Sequence, residues 1–216
     1  MASFLKDASR RNTIKSIAKY AAIGCGTAFF SACTQEAKES KEEKPQFKSI
    51  DLTGADYAKD FALPDQHGQT RTLKDFAGKV VVVFFGFTQC PDVCPTSMAE
   101  LAQIKQSLGA DGNKLQAIFI TVDPERDTPE LLKAYMGNFD PSFLALRPAM
   151  DKLPDVAKSF KIYYKKVEGR AAGSYSMDHS AGSYVYDPKG QIRLYSRYGT
   201  GPDGLAADIR LLLKGV

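Results

Sequence analysis

Cysteine and histidine are scarce in this chain, which has four of the former and two of the latter in 216 residues. Cys25 falls in an amino-terminal segment typical of an export signal and Cys33 directly follows that segment, so only Cys90 and Cys94 remain for the folded part. A single close pair excludes the disulfide framework that stabilises many small exported proteins, and a loop this short would contribute little as a cross-link. The pair therefore indicates reversible thiol chemistry or metal binding.

Other signatures are absent too. The sequence has no Cys-x-x-Cys-His haem motif, no phosphate-binding glycine loop and no metalloprotease helix, and the glycine-rich stretch 199–204 does not fit a nucleotide motif. The net charge of +4 comes from the first 32 residues, which hold five of the 29 basic and one of the 25 acidic residues. The remainder carries 24 of each sign. This balance excludes the basic surface typical of a nucleic-acid-binding protein.

The amino-terminal apolar run is too short for a comfortable transmembrane helix. It follows a cationic segment, as in a signal peptide, and we interpret residues 1–32 as an export signal. Phe30-Ser31-Ala32-Cys33 resembles a bacterial lipobox, in which Cys33 would carry lipid, whereas Ser9-Arg10-Arg11 resembles a twin-arginine signal, so the export route stays open. By either route, or with the segment kept as an anchor, we expect a membrane-anchored protein on the periplasmic or other extracytoplasmic face.

Two further regions follow the signal. Residues 33–48 are charged and poor in apolar side chains, a composition typical of a flexible tether. Residues 49–216 alternate strand-like and helix-like stretches without an internal repeat. This pattern predicts one α/β domain with a mixed sheet flanked by helices.

The stretch from Lys79 to Glu100 organises the predicted domain. Val80 to Phe85 is a continuous apolar run, typical of a central parallel strand covered on both faces, and a helix is predicted from Thr96 to Leu108. Cys90 and Cys94 stand between the two, at the carboxyl edge of the sheet, where open α/β folds place their chemistry. Backbone N–H groups at the start of the helix are expected to favour the thiolate forms.

The remaining elements are predicted from periodicity and turn residues. Strands are predicted at 114–122, 143–146, 162–167, 182–186 and 191–195, helices from 129, at 152–160 and at 204–213, and a hairpin at 61–70. Gly68 is expected to supply the turn of that hairpin. Asp127 or Thr128 is expected to cap the helix whose first turn holds Pro129, and Pro154 to interrupt the helix at 152–160.

Three stretches, in the same order along the chain, resemble the Sco/SenC family of copper chaperones. They are FGFTQCPDVCP at 85–95, TVDPERDTP at 121–129, and DHS at 178–180 followed by YVYDPKG at 184–190. The resemblance implies a thioredoxin-like fold with an added amino-terminal β-hairpin. It also implies delivery of copper, or of reducing equivalents, to the copper-A site of cytochrome c oxidase subunit II. Other copper chaperones or thiol reductants would be further partners.

The residues themselves suit copper as the metal. Two thiolates and one imidazole make a soft, three-coordinate site suited to copper(I), whereas structural zinc normally takes four protein ligands. His67 lies in a polar turn, where an exposed residue without a ligand role is expected. His179 is expected in a loop just before a strand, and the resemblance assigns it as the ligand that joins Cys90 and Cys94. Whether copper(I) or copper(II) is the working state stays open.

Three aspartates lie near these motifs. Asp178 either orients His179 from behind or is a turn residue. Asp123 and Asp127, four residues apart, either form a carboxylate face for copper exchange or partner docking, or serve turn chemistry and helix capping. The interpretation favours copper exchange or partner docking for Asp123, and turn chemistry or helix capping for Asp127.

Three functions remain open at this point. The favoured one is a metallochaperone that binds copper through two cysteines and one histidine. The second is a thiol–disulfide oxidoreductase, in which Cys90 attacks a partner's disulfide and Cys94 resolves the mixed disulfide. The third is a tethered binding module with a structural disulfide. Cys-x-x-x-Cys has one residue more between the cysteines than the usual redox motif of thioredoxins. This difference favours metal binding over thiol–disulfide exchange.

Overall fold

The computed structural model describes residues 46–216. Ten strands are present in this range: β1 Ile50–Asp51, β2 Leu63–Pro64, β3 Thr70–Arg71, β4 Val80–Gly86, β5 Leu115–Thr121, β6 Leu144–Leu146, β7 Tyr164–Glu168, β8 Tyr175–His179, β9 Ser183–Tyr186 and β10 Ile192–Ser196. Four α-helices accompany them: α1 Val93–Ser107, α2 Pro129–Gly137, α3 Leu153–Phe160 and α4 Pro202–Leu213. Two 3₁₀ helices span Leu73–Phe76 and Gly109–Lys114.

The predicted export signal, Cys33 and the tether as far as Pro45 lie outside the described residues. Within residues 46–216, no helix combines the length and the apolar character that crossing a membrane requires. The first of the described residues are held to the rest of the domain by the buried carboxylate of Asp208. It accepts hydrogen bonds from the backbone N–H groups of Lys48 at 2.7 Å and Ser49 at 2.8 Å.

The central sheet has six strands in the order β1-β10-β9-β4-β5-β6. β4 pairs in parallel with β5 and antiparallel with β9, and all seven of its residues are buried. A strand flanked on both edges and covered on both faces needs no polar alternation, which explains its run of valine and phenylalanine. The predicted central strand and mixed sheet are confirmed.

Helices cover both faces of this sheet. Because neighbouring side chains of a strand point to opposite faces, Phe84 and Phe85 serve two separate halves of the core. The ring of Phe85 lies 5.0 Å from that of Phe160 in α3, whereas the ring of Phe84 lies 6.2 Å from that of Phe119. Cys94, near the start of α1, lies on the Phe84 side against Gly86. The prediction of a mixed sheet flanked by helices is therefore confirmed.

Two antiparallel hairpins stand outside the central sheet. β2 and β3 form the predicted amino-terminal hairpin, in which Gly68 has a φ of +79° and donates its N–H to the carbonyl of Asp65. β7 and β8 form the second hairpin, with Tyr164 opposite His179. The sequence predicted the β7 strand but not β8, so the loop expected around His179 is wrong: His179 is the last residue of a strand.

Two helix starts differ from prediction. α1 begins at Val93, three residues before the predicted Thr96, so Cys94 lies in its first turn and Cys90 precedes it. Pro154 stands in the first turn of α3 and does not interrupt it, because an N–H at that position would have no intrahelical partner. Thr128, one of the two predicted caps, accepts the N–H of Leu131 at the start of α2.

Candidate metal centre

Three ligand atoms converge at the carboxyl end of β4. They are the sulfurs of Cys90 and Cys94 and a ring nitrogen of His179, and all three lie within 4.8 Å of one another. Within residues 46–216, this is the one group of three or more cysteine, histidine or acidic residues so arranged. Cys90 comes from the turn after β4, Cys94 from the first turn of α1, and His179 from the end of β8. Both thiols are free.

The buried sulfur of Cys94 lies closest to the histidine. Its Sγ is 3.4 Å from Nε2 of His179, and the backbone N–H of Cys94 points to Sγ of Cys90 at 3.5 Å. With metal–sulfur and metal–nitrogen bonds of about 2.3 and 2.0 Å, a trigonal ion would separate these two ligand atoms by about 3.7 Å. Cys94 and His179 therefore need to separate by only a few tenths of an ångström to hold such an ion between them.

Burial determines the protonation of Cys94. Its side chain has no solvent exposure, and desolvation raises the pKa of its thiol, with a further increase from the hydrogen bond to Cys90. The expectation that the helix start would favour the thiolate is therefore wrong for Cys94, because loss of hydration outweighs the backbone N–H groups. In the metal-free protein this sulfur keeps its proton at neutral pH.

The imidazole of His179 is oriented by the backbone. Nδ1 lies 2.9 Å from the carbonyl oxygen of Ser180. A carbonyl can only accept, so Nδ1 carries the proton and Nε2 presents its lone pair toward Cys94. Phe84 and Phe87 present edge-on contacts to the ring at 6.1 and 5.9 Å. Burial lowers the pKa of His179, which keeps the ring neutral and able to bind a metal.

Asp178 does not orient the imidazole by hydrogen bonding. Its side chain is exposed, and the carbonyl of Ser180 occupies the position that the sequence analysis gave to the carboxylate. Asp178 acts on His179 only through its charge, which raises the pKa of the ring against the larger effect of burial. The supporting group is therefore a backbone atom, which residue types alone do not identify.

Asp123 and Asp127 do not form an exposed carboxylate face. Asp123 is 4% exposed and is bound by the side chains of Arg126 and Tyr175, and Asp127 is fully buried. The carboxylate of Asp123, which was predicted to take part in copper exchange or partner docking, is therefore engaged in hydrogen bonds within the domain. The capping role considered for Asp127 belongs to Thr128.

Asp127 instead supports the cysteine turn. Its carboxylate accepts the N–H and hydroxyl of Thr88, the hydroxyl at 2.5 Å, and the hydroxyl of Thr121 at 2.5 Å. Thr88 lies two residues before Cys90, so this network fixes the backbone that leads to the first cysteine. Desolvation raises the pKa of Asp127, and the hydrogen bonds from Thr121 and Thr88 oppose that increase.

A pocket of about 320 Å³ opens beside the cluster. Cys90 and His179 line it together with Tyr163, Met177 and Asp178. Cys90 is half-buried whereas Cys94 is fully enclosed, so an approaching group reaches Cys90 first. His67, by contrast, is exposed in the β2–β3 turn, as predicted for a residue outside the site.

Comparison with known proteins identifies close relatives of this arrangement. The SCO1/SenC family model matches residues 50–214. An SCO2-like protein of Rickettsia conorii is 38% identical over 152 residues, which cover 70% of this chain and 74% of the relative. Copper-bound ScoI of Bradyrhizobium japonicum is 40% identical with a TM-score of 0.64, covering 71% of this chain and 97% of that one. Copper-bound yeast Sco1 is 33% identical with a TM-score of 0.65, covering 73% and 88%.

Proposed function

The chain belongs to the SCO1/SenC family, and from that membership and its own residues we propose that it is a copper chaperone that holds its cargo with Cys90, Cys94 and His179. The observation that carries the proposal is the convergence of these three ligand atoms at one edge of the sheet. The likeness to copper-bound ScoI and Sco1 supports copper as the ion.

The donor set fits copper(I) better than other common ions. Two thiolates and one imidazole are soft donors, and three ligands are one fewer than structural zinc takes. Nε2 of His179 presents a lone pair because Nδ1 is bonded to the carbonyl of Ser180. The aromatic edges of Phe84 and Phe87 limit the access of water to the ring.

Transfer to a partner would proceed by ligand exchange at the open side of the site. The half-buried Cys90 and the pocket beside it, which His179 also lines, give a partner's own ligands access to the ion, while the enclosed Cys94 holds it from the opposite side. We propose that the recipient is the copper-A site of cytochrome c oxidase subunit II, as the family resemblance implies.

The place of action follows from the amino-terminal sequence. We propose that residues 1–32 direct export, that Cys33 carries a lipid, and that residues 33–48 tether the domain of residues 49–216 to the outer face of a membrane. Fourteen residues of tether, from Gln35 to Lys48, would reach roughly 45–50 Å when extended. This length would let the domain reorient toward a membrane-bound recipient.

His179→Ala is expected to weaken copper(I) binding at least about 10- to 100-fold, since loss of a ligand costs no less than loss of a group that supports one. The reduced chain would be titrated with copper(I) against a coloured copper(I) chelator. His67→Ala is the matched control, because it removes the other histidine from an exposed turn. Equal affinity in the His179→Ala chain and the wild type would contradict the proposal, as would copper binding by the chain with its two thiols oxidised to a disulfide.

Copper affinity is expected to fall with decreasing pH. The raised pKa of Cys94 means that copper must displace a proton from its sulfur, so the apparent affinity should change by at least about one log unit per pH unit. His179, with its lowered pKa, is already neutral at neutral pH and adds no slope there. Titrations between pH 6.5 and 8.5 check this estimate of the proton count. The His179→Ala chain should show weaker binding with the same slope, whereas a flat profile would contradict the assignment.

A thiol–disulfide exchange activity is the second candidate function. The observation that favours it is the pairing of one half-buried and one buried free thiol. Cys90 would attack a partner's disulfide and release one partner thiol; Cys94 would then attack Cys90, release the second, and leave a Cys90–Cys94 disulfide. A thiol reductant must restore the pair. The His179→Ala chain separates the two functions, because exchange does not need the imidazole as a ligand.

A further inference from the structure

The histidine of the site stands on a hairpin that lies outside the central sheet. β7 and β8 pair only with each other within the described chain, and most of their residues are exposed. Met177, 8% exposed, is the one buried residue of the two strands. The position of His179 relative to Cys94 therefore depends on the side-chain contacts that hold this hairpin against the domain.

The hydrogen bonds of Ser180, the residue after His179, to Tyr163 are internal to the hairpin. Ser180 and Tyr163 bond to each other twice, through Ser180 N–H to the Tyr163 carbonyl and Tyr163 N–H to the Ser180 hydroxyl, each at 2.9 Å. These bonds close the base of the hairpin but do not join it to the central sheet. Side chains attach it instead: the ring of His179 packs on Phe84 and Phe87, and Met177 joins the core.

Tyr175 provides a further attachment. It stands four residues before His179 on the same strand, so both side chains lie on the face of β8 that turns toward the domain. The guanidinium of Arg126 lies 3.6 Å from the centre of the Tyr175 ring, and Nη1 of Arg126 donates to the Tyr175 carbonyl at 2.9 Å. The Tyr175 hydroxyl donates to the carboxylate of Asp123 at 2.9 Å.

Arg126 also contacts the cysteine turn. Its Nη1 donates to the side-chain carbonyl of Gln89, the residue before Cys90, at 3.1 Å, and its Nε pairs with Asp123. A single guanidinium therefore bonds to the segment that carries Cys90 and to the strand that carries His179. Such a planar group with five donors can serve several acceptors at once, which a lysine ammonium cannot do in the same geometry.

The loop that bears Arg126 is itself held in place. Arg147 donates to the carbonyls of Pro124 at 2.7 Å and Asp127 at 2.9 Å, and Asp127 is bonded to Thr88. Arg126 therefore projects from a fixed support. Because this loop is fixed to the cysteine turn, movement of the His179 strand relative to Cys90 should break the contacts between Arg126 and the hairpin first.

One donor of Arg126 is left without a partner. Its Nη2 is buried and makes no hydrogen bond to the described residues. A buried donor with no acceptor opposes the closed arrangement, because it would regain a water partner if the hairpin moved away. The hydrogen bonds and ring contact of Arg126 thus stabilise the attached hairpin, whereas its unpaired Nη2 donor destabilises it. An attachment that can form and break reversibly needs such a balance.

We propose that Arg126 is a positioning residue that controls how often His179 is within reach of the two cysteines. With Arg126 bound to Tyr175, the three ligands are assembled; with that contact broken, the hairpin swings away and leaves the two sulfurs alone. The inference rests on the proposed function in one respect, that the ion held is copper. Breaking the contact would lower the number of ligands from three to two and so prepare the ion for transfer.

Arg126→Ala tests the attachment directly, without metal. Hydrogen exchange of the reduced, copper-free full chain is expected to become about tenfold faster or more for the amides of β8, because β8 pairs only with β7 and a two-stranded hairpin that leaves the domain is marginally stable, so its hydrogen bonds open. The amides of β4 and β5 should be unchanged. Lys165→Ala is the matched control, because it removes an exposed cation of β7 and leaves in place the ion pair of Lys166 with Glu125, which also joins the hairpin to the loop of Arg126. Unchanged exchange in β8 would overturn the proposal.

Copper binding then tests the consequence. Arg126→Ala is expected to weaken copper(I) binding about tenfold, since affinity scales with the population of the competent state. X-ray absorption of the copper-loaded Arg126→Ala chain should show a shift from three-coordinate toward two-coordinate copper. In a chain that already carries His179→Ala, adding Arg126→Ala should have no further effect on affinity. Equal weakening in both backgrounds would overturn the proposal, because it would show that Arg126 acts through the cysteines or the fold.

Two provisions keep the outcomes separate. Removing Arg126 leaves the buried carboxylate of Asp123 without its cation, so Arg126→Lys provides a variant that keeps the charge; it should give intermediate exchange and intermediate affinity. If the wild-type chain fails to bind copper, the proposed function fails, while the exchange of β8 still decides whether Arg126 holds the hairpin. If the wild type binds copper through His179 and β8 is unaffected by the substitutions, only the role of Arg126 fails.

Discussion

Replacing Cys94 by serine is expected to abolish copper(I) binding at the concentrations where the wild type is saturated. Cys94 is the sulfur that faces Nε2 of His179 at 3.4 Å, and a hydroxyl is a hard and poorly ionised donor in its place. The loss should exceed the roughly 10- to 100-fold that removal of a supporting contact costs. Competition with a copper(I) chelator, followed by metal analysis of the desalted protein, measures it.

Cys90→Ser is the matched control for the effect on the fold. Both substitutions remove one thiolate and should therefore remove copper. Only Cys94 is fully enclosed, so a serine there buries a more polar group whose nearest acceptor, Nε2 of His179, is spaced for the longer carbon–sulfur bond; it should cost about 1–3 kcal/mol of the free energy of unfolding, whereas the half-buried Cys90 should tolerate serine. Saturable copper binding by a folded Cys94→Ser chain would contradict the proposed ligand set.

The central strand and the two cysteines could be predicted because the information is local. Val80 to Phe85 has no polar residue. A strand that is buried on both faces requires such a continuous apolar run, because neither face can accommodate polar side chains. The same stretch places both sulfurs just beyond the strand end. Protonation could not be predicted in this way. It depends on how deeply Cys94 is enclosed by residues from the neighbouring strand, and that enclosure outweighed the helix-start effect on which the expectation relied.

The strand that carries His179 was missed because its pattern is weak. Tyr175, Met177 and His179 alternate as they should in a strand, but the intervening residues are exposed and the preceding stretch is rich in small residues. β8 exists because β7 pairs with it, and such pairing is a tertiary effect that short-range propensity does not reveal. Alternation at 175, 177 and 179 was the available signal.

The approach of His179 to Cys94 joins positions 85 residues apart and could be expected only from the family resemblance. The aspartates show the opposite case. Their spacing of four suggested a shared exposed face. Within the domain, however, Arg126 and Tyr175 bind the carboxylate of Asp123, and Thr88 binds that of Asp127. Thr88 lies 39 residues from Asp127 and Tyr175 lies 52 residues from Asp123, and the spacing of the two aspartates contains no information about such distant partners.

Gly86→Ala is expected to lower both stability and copper affinity, because Gly86 leaves the space that the sulfur of Cys94 occupies. An added Cβ would lie 2.7 Å from Sγ of Cys94, 2.8 Å from the Phe119 ring and 2.9 Å from the Phe84 ring. All three neighbours are fully buried and have little room to move, so the overpacking should cost about 1–3 kcal/mol or more. At about 2–4 °C per kcal/mol for a domain of this size, the melting temperature should fall by several degrees.

Gly137→Ala provides the matched control for Gly86→Ala. Gly137 is the exposed last residue of α2, and an added Cβ there would meet nothing within 4 Å, so its melting temperature and copper affinity should stay near those of the wild type. Thermal unfolding of the reduced and the copper-loaded chains separates the two effects. In Gly86→Ala, copper should raise the melting temperature less than in the wild type, because the displaced sulfur binds the ion less well. An unchanged shift on copper binding would show that Cys94 keeps its position, and the close contact at Gly86 would then matter only for packing.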